Sequence, residues 1–458
     1  MGLRVQFAAI LLIIVPLGMK AQSSAQPTDS SSNPVPRPAQ STGEAPKPYG
    51  DGQKGNLNYS GPSGSRNFFI VDVTGQTSYN DNVVGGNSTK VPDTTFFLGP
   101  DIWLQREGKH SEFALHYQPD FLFYAKTSGY NTLQQQGQLD GQVNASPHLS
   151  FRGRASGFYL TGISQPSTNT EVMSDLGPPS SLNQAVFTPL ARETGYAARV
   201  DATYQFSTRT TVSIFAGGSA LYFDQQATSN TQLLDTRQQT TGLIYSYRIS
   251  RFDTAGFTYL LSYYEFGPNA RTLVHNPYIS YSHQFSPNWS ARIYGGPAFV
   301  RSNNELDSTM QVPTVVITGY RNQWDWTLGG DLNLHLLNTA MQIGAQRNVS
   351  DGGGLLTTVI ATEVTGSVRH KLGKRLDAVW NGSYTQNSQL PGQPAGQVKN
   401  FLAGVSIEDS IKENLVFRWG YNFTRQSSTG TAAEFGTLDR NIVYFAVTYR
   451  AIRKPLGR

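Results

Sequence analysis

From about Asn67 onward, apolar and polar residues alternate with period two through one run after another, and no helical pattern interrupts them. Successive side chains of a strand point to opposite faces. A chain made only of such strands can close as a sandwich, a soluble barrel or a transmembrane barrel. The connections decide among these. Short links at Glu107–His110, Ser146–His148, Ser207–Thr210, Ser250–Asp253, Ser286–Asn288, Leu337–Asn338, Leu372–Lys374 and Ser410–Glu413 alternate with longer ones. Tight turns on one rim and larger loops on the other are the pattern of outer-membrane barrels. The alternation divides residues 67–450 into 18 strands, an even number. The expected fold is all-β, a transmembrane antiparallel up-and-down barrel.

The residues before the strands fit export. Arg4 precedes an apolar run from Phe7 to Leu17, and residues 1–21 read as a signal peptide ending at Ala21 or Ala25. The run is short for a spanning helix; the alternative is a retained anchor. With no cysteine in the chain, lipid attachment at a cysteine, disulfides and thiolate metal sites are excluded. Residues 22–66 are rich in Pro, Ser and Gly and cannot bury a core. They form a disordered periplasmic linker, either a plain spacer or a segment that binds an envelope partner.

Aromatic residues make up 12% of the chain and charged ones only 15%. The formal charge of +5 is small for 458 residues, and no basic run interleaves with aromatics, so nucleic acid is not an expected partner. The strand faces can be assigned. Leu149, Phe151, Gly153, Ala155, Gly157 and Tyr159 oppose Ser150, Arg152, Arg154 and Ser156. Tyr196, Ala198, Val200, Ala202 and Tyr204 oppose Arg199, Asp201 and Thr203. A lysine or arginine at the lipid midplane costs about 2–4 kcal/mol, so the polar faces line the interior. Tyr159, Tyr196, Phe285, Trp289, Tyr384 and Tyr449 would then form interfacial girdles.

The first strand ends in TSYNDNVVGG, with Tyr79, Asp81 and Asn82 entering the first long loop. Together with the Pro-rich leader and the SPN turns, this resembles the β-barrel porins of Gram-negative outer membranes, some of which sit beside exopolysaccharide-export machinery. The resemblance implies an outer-membrane location and partners among outer-membrane lipid, small hydrophilic solutes and polysaccharide-export proteins. It also implies an inward-folded third loop, here 163–190, with Glu171 and Asp175 at a constriction; a mobile outer loop is the alternative. Such barrels end on an aromatic residue. Here Ala451–Arg458 follows Tyr449 as a basic tail, expected to hang in the periplasm.

Eighteen strands leave an aqueous channel unless something fills it. The candidate lumen residues are Arg152, Arg154, Arg199, Arg248, Arg292, Arg369 and Arg418, with Asp101, Asp140, Asp201, Asp331, Glu363 and Glu408. They would bias flux towards anions or hydroxylated solutes, or pair across strands and brace the wall.

No P-loop, HExxH, GxSxG or dinucleotide fingerprint is present, and no cofactor is expected. His275 and His283 share a face but stand about 27 Å apart along a strand. His116 is the one histidine near a carboxylate of its own face, Asp120. Three readings stand: a weakly selective porin, a plugged barrel serving as scaffold in exopolysaccharide export, and a membrane-embedded hydrolase. The small residues Gly153, Ala155 and Gly157 mark either a wall for a second copy or a place where the strand bends.

Overall fold

The computed structural model describes residues 67–85, 90–161, 192–224, 233–267, 270–304, 320–391, 396–430, 433 and 436–455. The expected signal peptide, the Pro-rich linker and the 163–190 loop with Glu171 and Asp175 lie outside these residues.

The first nine strands are β1 (Phe68–Asn80), β2 (Asp93–Glu107), β3 (Ser111–Tyr124), β4 (Thr132–Asn144), β5 (Leu149–Thr161), β6 (Arg192–Gln205), β7 (Thr210–Asp224), β8 (Thr236–Arg248) and β9 (Asp253–Phe266). The other nine are β10 (Ala270–Ser286), β11 (Trp289–Asn304), β12 (Arg321–His335), β13 (Thr339–Gly352), β14 (Leu356–Lys371), β15 (Leu376–Gln389), β16 (Gly396–Lys412), β17 (Leu415–Gly430) and β18 (Thr437–Pro455). They form one 18-stranded sheet. Each strand pairs antiparallel with the next, and β18 returns to β1 from Asn80↔Ile442 to Phe68↔Pro455. Closure gives the terminal strands β1 and β18 partners.

Two boundaries differ from the sequence expectation. β18 runs to Pro455, beyond the expected end at 450. The basic residues Arg453 and Lys454 pair with Ile70 and Phe69 instead of hanging free, because β1 offers them an unfilled ladder. The register shift at Val71/Asp72 absorbs one extra residue there. The second difference is the β13–β14 hairpin, described with the site.

Alternation is kept around most of the wall. Phe96, Phe123, Tyr196, Val200, Ile214, Ile279, Ile293, Phe299, Trp324 and Val443 are exposed on the outer face. Gln136, Arg154, Ser213, Thr240, Ser262, Asn276 and Thr385 are buried on the inner one. Pro100, Pro119, Pro277 and Pro297 sit inside strands, and the β2–β3 and β10–β11 ladders skip the residues around them. Proline has no N–H to donate, so it breaks a ladder locally without ending the strand.

Candidate functional site

The interior divides into two zones, the first on the short-turn side. Cross-strand register puts opposite charges face to face there. Asp140 stands opposite Arg154, Arg292 opposite Asp331, and Glu408 opposite Arg418. The distances follow. Arg292 Nε donates to Asp331 at 2.9 Å, and Arg199 donates to Asp201 at 2.6 Å. Arg152 and Arg154 lie 3.4 and 3.7 Å from Asp140. Arg369 bridges Asp377 at 3.0 Å and Glu408 at 2.8 Å, and Arg418 reaches the other Glu408 oxygen at 2.7 Å. Arg199 also lies 3.8 Å over the inward Phe215 ring. Gly217, opposite Arg199 in register, leaves room for it, since a Cβ would crowd the Arg199 backbone.

The candidate charges thus gather in one belt, most of them as bracing pairs. Glu363 is held by Gln346 Nε2 at 2.6 Å, and Arg248 closes the short-turn end of β8. His116 faces the interior, yet its partner is Asp101 at 2.6 Å, with Trp103 stacked on the ring at 3.9 Å. Asp120 instead accepts from Gln118. Asp101 is the better placed because His116 stands opposite Trp103, two residues along the same inward face of β2.

The second zone, towards the long loops, is apolar. Phe158, Leu160, Ala197, Leu221 and Phe223 form one buried cluster. Tyr264, Phe266, Ala270, Val274, Ala298 and Val300 form another on β9–β11, and they share it with Val349 and Ile360. That membership places the β13–β14 hairpin. By register Ile360 is on the outer face with Val364, which is exposed, yet Ile360 is buried against inward residues of β9–β11. Its other face, with Val359 and Ala361, packs on Val398 of β16. Every residue from Asn348 to Ala361 is buried. The hairpin has therefore parted from β12 beyond Leu328↔Arg347 and, still laddered to β15 as far as Val359↔Gln389, leans over the lumen.

Polar contacts hold it there. Thr358 Oγ1 donates to Thr272 Oγ1 at 2.6 Å, and the Leu234 amide donates to the Gly354 carbonyl at 2.8 Å. Gly353 and Gly354 turn the tip at φ 61° and 82°. A side chain at Gly354 would overlap the Phe223 ring. Alternation by period two gives no sign that 350–355 is more than one of the longer links. The available signal was the run Leu355-Leu356-Thr357-Thr358-Val359-Ile360-Ala361, where period two gives way to apolar residues on both faces.

The Tyr79–Asn82 motif has a structural task. Asn441 donates its backbone N–H and its Nδ2 to Asp81, both at 2.7 Å. Asn82 Nδ2 donates to the Asp439 carbonyl at 3.1 Å, while Asn82 Oδ1 accepts from the Gly85 amide. The motif staples the first strand to the last at the long-loop rim.

No family model matches this chain, and no curated protein does. Solved structures similar to it include outer-membrane proteins of pseudomonads. Pseudomonas aeruginosa OpdO is 14% identical, over 84% of this chain and 97% of that one, at a TM-score of 0.41. Pseudomonas aeruginosa OccK2 (OpdF), solved with glucuronate, is 11% identical over 84% and 98%, at 0.43. A BenF-like porin from Pseudomonas fluorescens Pf-5 is 10% identical over 84% and 99%, at 0.43. At such TM-scores these likenesses carry no weight of their own, and the barrel stands on its own strand pairings.

Proposed function

We propose that this protein is an outer-membrane channel that passes small hydrophilic solutes through its lumen. The observation that carries the reading is the closed 18-stranded wall, apolar outside and charged inside at one level. An outer face of this kind exceeds the apolar patches a soluble monomer tolerates. It meets the bilayer requirement that backbone polar groups be satisfied within the wall. The short turns face the periplasm and the long loops the exterior; a cleaved signal peptide delivers the chain. The belt around Arg152, Arg199, Arg292, Arg369 and Arg418 biases flux by its field. Because its members are largely paired, the bias is modest.

The buried β13–β14 hairpin favours a second reading, a barrel plugged at the long-loop side that serves as a scaffold. The resemblance carried by Tyr79–Asn82 is the support for an exopolysaccharide-export partner. Single-channel conductance of the full chain in a planar bilayer tests both, with reversal potential under a salt gradient. Steady conductance steps fit the channel. Silence from a barrel shown folded by heat-modifiable migration leaves the plugged scaffold.

A further inference from the structure

The outer face carries its charges unevenly. On β2–β5 the outward residues at the long-loop end include Thr94, Phe96, Phe123, Gln135 and Tyr159, none of them charged. On β8–β11 the same end holds Arg237, Arg271 and Arg301. Register settles their direction. Arg237 and Arg271 both stand opposite Glu265, which alternates outward with exposed Phe257. Arg301 stands opposite Leu273 and alternates with exposed Phe299 and Ile293.

These guanidinium groups outnumber the carboxylates that meet them. Glu265 lies in register between Arg237 and Arg271, and the Tyr263 hydroxyl donates to it at 3.1 Å. Arg271 comes only to 3.9 Å of it, with its side chain 56% exposed. Arg237 turns instead to Tyr222, donating from Nε to the hydroxyl oxygen at 3.0 Å, which leaves its terminal nitrogens pointing elsewhere. Arg301 covers the Tyr320 ring at 4.2 Å. Asp235 nearby accepts from the Phe223 amide at 3.0 Å. The connections 225–232 and 268–269 add no charged residue, while Glu305 and Asp307 follow β11, so Arg301 is the outlying member. A pair that only braced the wall would resemble Arg425 and Asp439 on β17–β18, in register and 3.6 Å apart. Depth agrees with a lipid partner. Arg301 stands twelve residues along β11 from Trp289, a girdle residue at the short-turn rim. At strand rise and tilt that is about 30 Å along the membrane normal, just past an apolar band about 25 Å tall. The cations therefore reach the level of lipid phosphates.

We propose that the long-loop rim of β8–β11 is a binding site for the phosphorylated head group of an outer-leaflet lipid. Arg237 and Arg271 hold the phosphate, since the guanidinium fork matches its oxygens, and Arg301 stands beside it. The acyl chains lie on the apolar wall below, along Leu261, Leu273, Phe299 and Trp324. The site rests on the reading of this barrel as membrane-spanning with its long loops outside.

The test titrates the detergent-solubilised full chain with diphosphorylated lipid A, and native mass spectrometry counts the bound lipid. The same lipid stripped of its phosphates and inorganic phosphate are the other two probes. The site predicts that the phosphorylated lipid is retained in preference to the stripped one. Joint replacement Arg237→Gln and Arg271→Gln should weaken its binding about thirty-fold, roughly fivefold for each arginine. Arg425→Gln, a paired arginine of the same rim on another arc, should leave it unchanged. Equal retention of the stripped lipid would overturn the site, because the acyl chains alone would then account for binding. An equal loss in Arg425→Gln would overturn it as well, by showing diffuse attraction around the rim. Displacement of the lipid by inorganic phosphate would make the ligand a free anion and also overturn the lipid assignment. Should the double variant fail to show heat-modifiable migration, the preference of the wild-type chain between the two lipids decides. Conductance tests the channel separately, so a silent barrel that still prefers the phosphorylated lipid keeps the site.

Discussion

The two halves of this barrel's interior are built on opposite principles. On the short-turn side the wall is complete, and its inner surface is a belt of ion pairs fixed by register. On the long-loop side the inner surface is apolar, one ladder is unzipped, and a hairpin fills the space. Both halves use the same strands, so the difference lies in what each face must bury. A lumen lined with water needs polar residues every second position and nothing more. A lumen filled by protein needs apolar residues on the inner wall and on both faces of the filler. Phe158, Phe223, Tyr264 and Val300 on the wall answer to Val349, Val359 and Ile360 on the hairpin. One half is rigid lining, and the other is a removable closure.

Removing the closure should have the largest effect. Replacing Asn348–Ala361 by a tight turn leaves β13 and β14 paired from Arg347↔Thr362 downward. The expected outcome is a several-fold rise in single-channel conductance with heat-modifiable migration retained. Unchanged conductance would mean that the hairpin does not set the narrowest point, and the contrast between the halves would collapse.

The charged half is tested next by Glu408→Gln. Glu408 is nearly fully buried between Arg369 and Arg418. Arg369 keeps Asp377 as a partner, but Arg418 faces an amide in the variant. Breaking a buried pair from one side costs about 3–5 kcal/mol. A lower urea midpoint for the folded form is expected, with the reversal potential moving towards anion preference. A shift in potential with no loss of stability would show water reaching the pair, and the belt would be lining without bracing.

Much of this was legible beforehand, and the reason is physical. Period two and turn chemistry are local properties, so 18 strands and their inward charges follow from the order of residues. Asp140 with Arg154 and Glu408 with Arg418 come together because a hairpin with a short turn fixes which residues face each other. The Asp101–His116 contact was missed for Asp120, since Asp120 lies about 13 Å further along β3 while Asp101 comes near only through the β2–β3 ladder. The hairpin was missed for a deeper reason. Its place depends on Tyr264, Val300 and Phe223, strands away, and a strand that parts from its neighbour keeps its extended geometry. Only the loss of alternation in Leu355–Ala361 marks it. The Tyr79–Asn82 motif was read as a family mark, whereas the structure shows a closure staple.

A smaller change should loosen the closure without deleting it. Gly354 has φ 82°, where a β-branched residue is strained by about 1–2 kcal/mol, and its Cα faces the Phe223 ring. Gly354→Val is therefore expected to keep the barrel and raise the frequency of open events. Gly373 offers the control, because a Cβ there meets nothing within reach and the turn lies on the opposite rim. Equal behaviour of the two variants would show that the tip is not seated against β7.

The smallest effect is expected at Arg152, and its size is informative. Its side chain is 41% exposed and 3.4 Å from Asp140, which also has Arg154 at 3.7 Å. An exposed pair contributes roughly 0–1 kcal/mol, so Arg152→Ala should leave the urea midpoint nearly unchanged. Losing one lumen cation should still move the reversal potential slightly towards cations, and 1 M salt should erase that shift as screening shortens its reach to about 3 Å. A salt-resistant shift would place Arg152 at a point where ions lose their water, and the narrowest part of the path would then lie in the charged half and not at the hairpin.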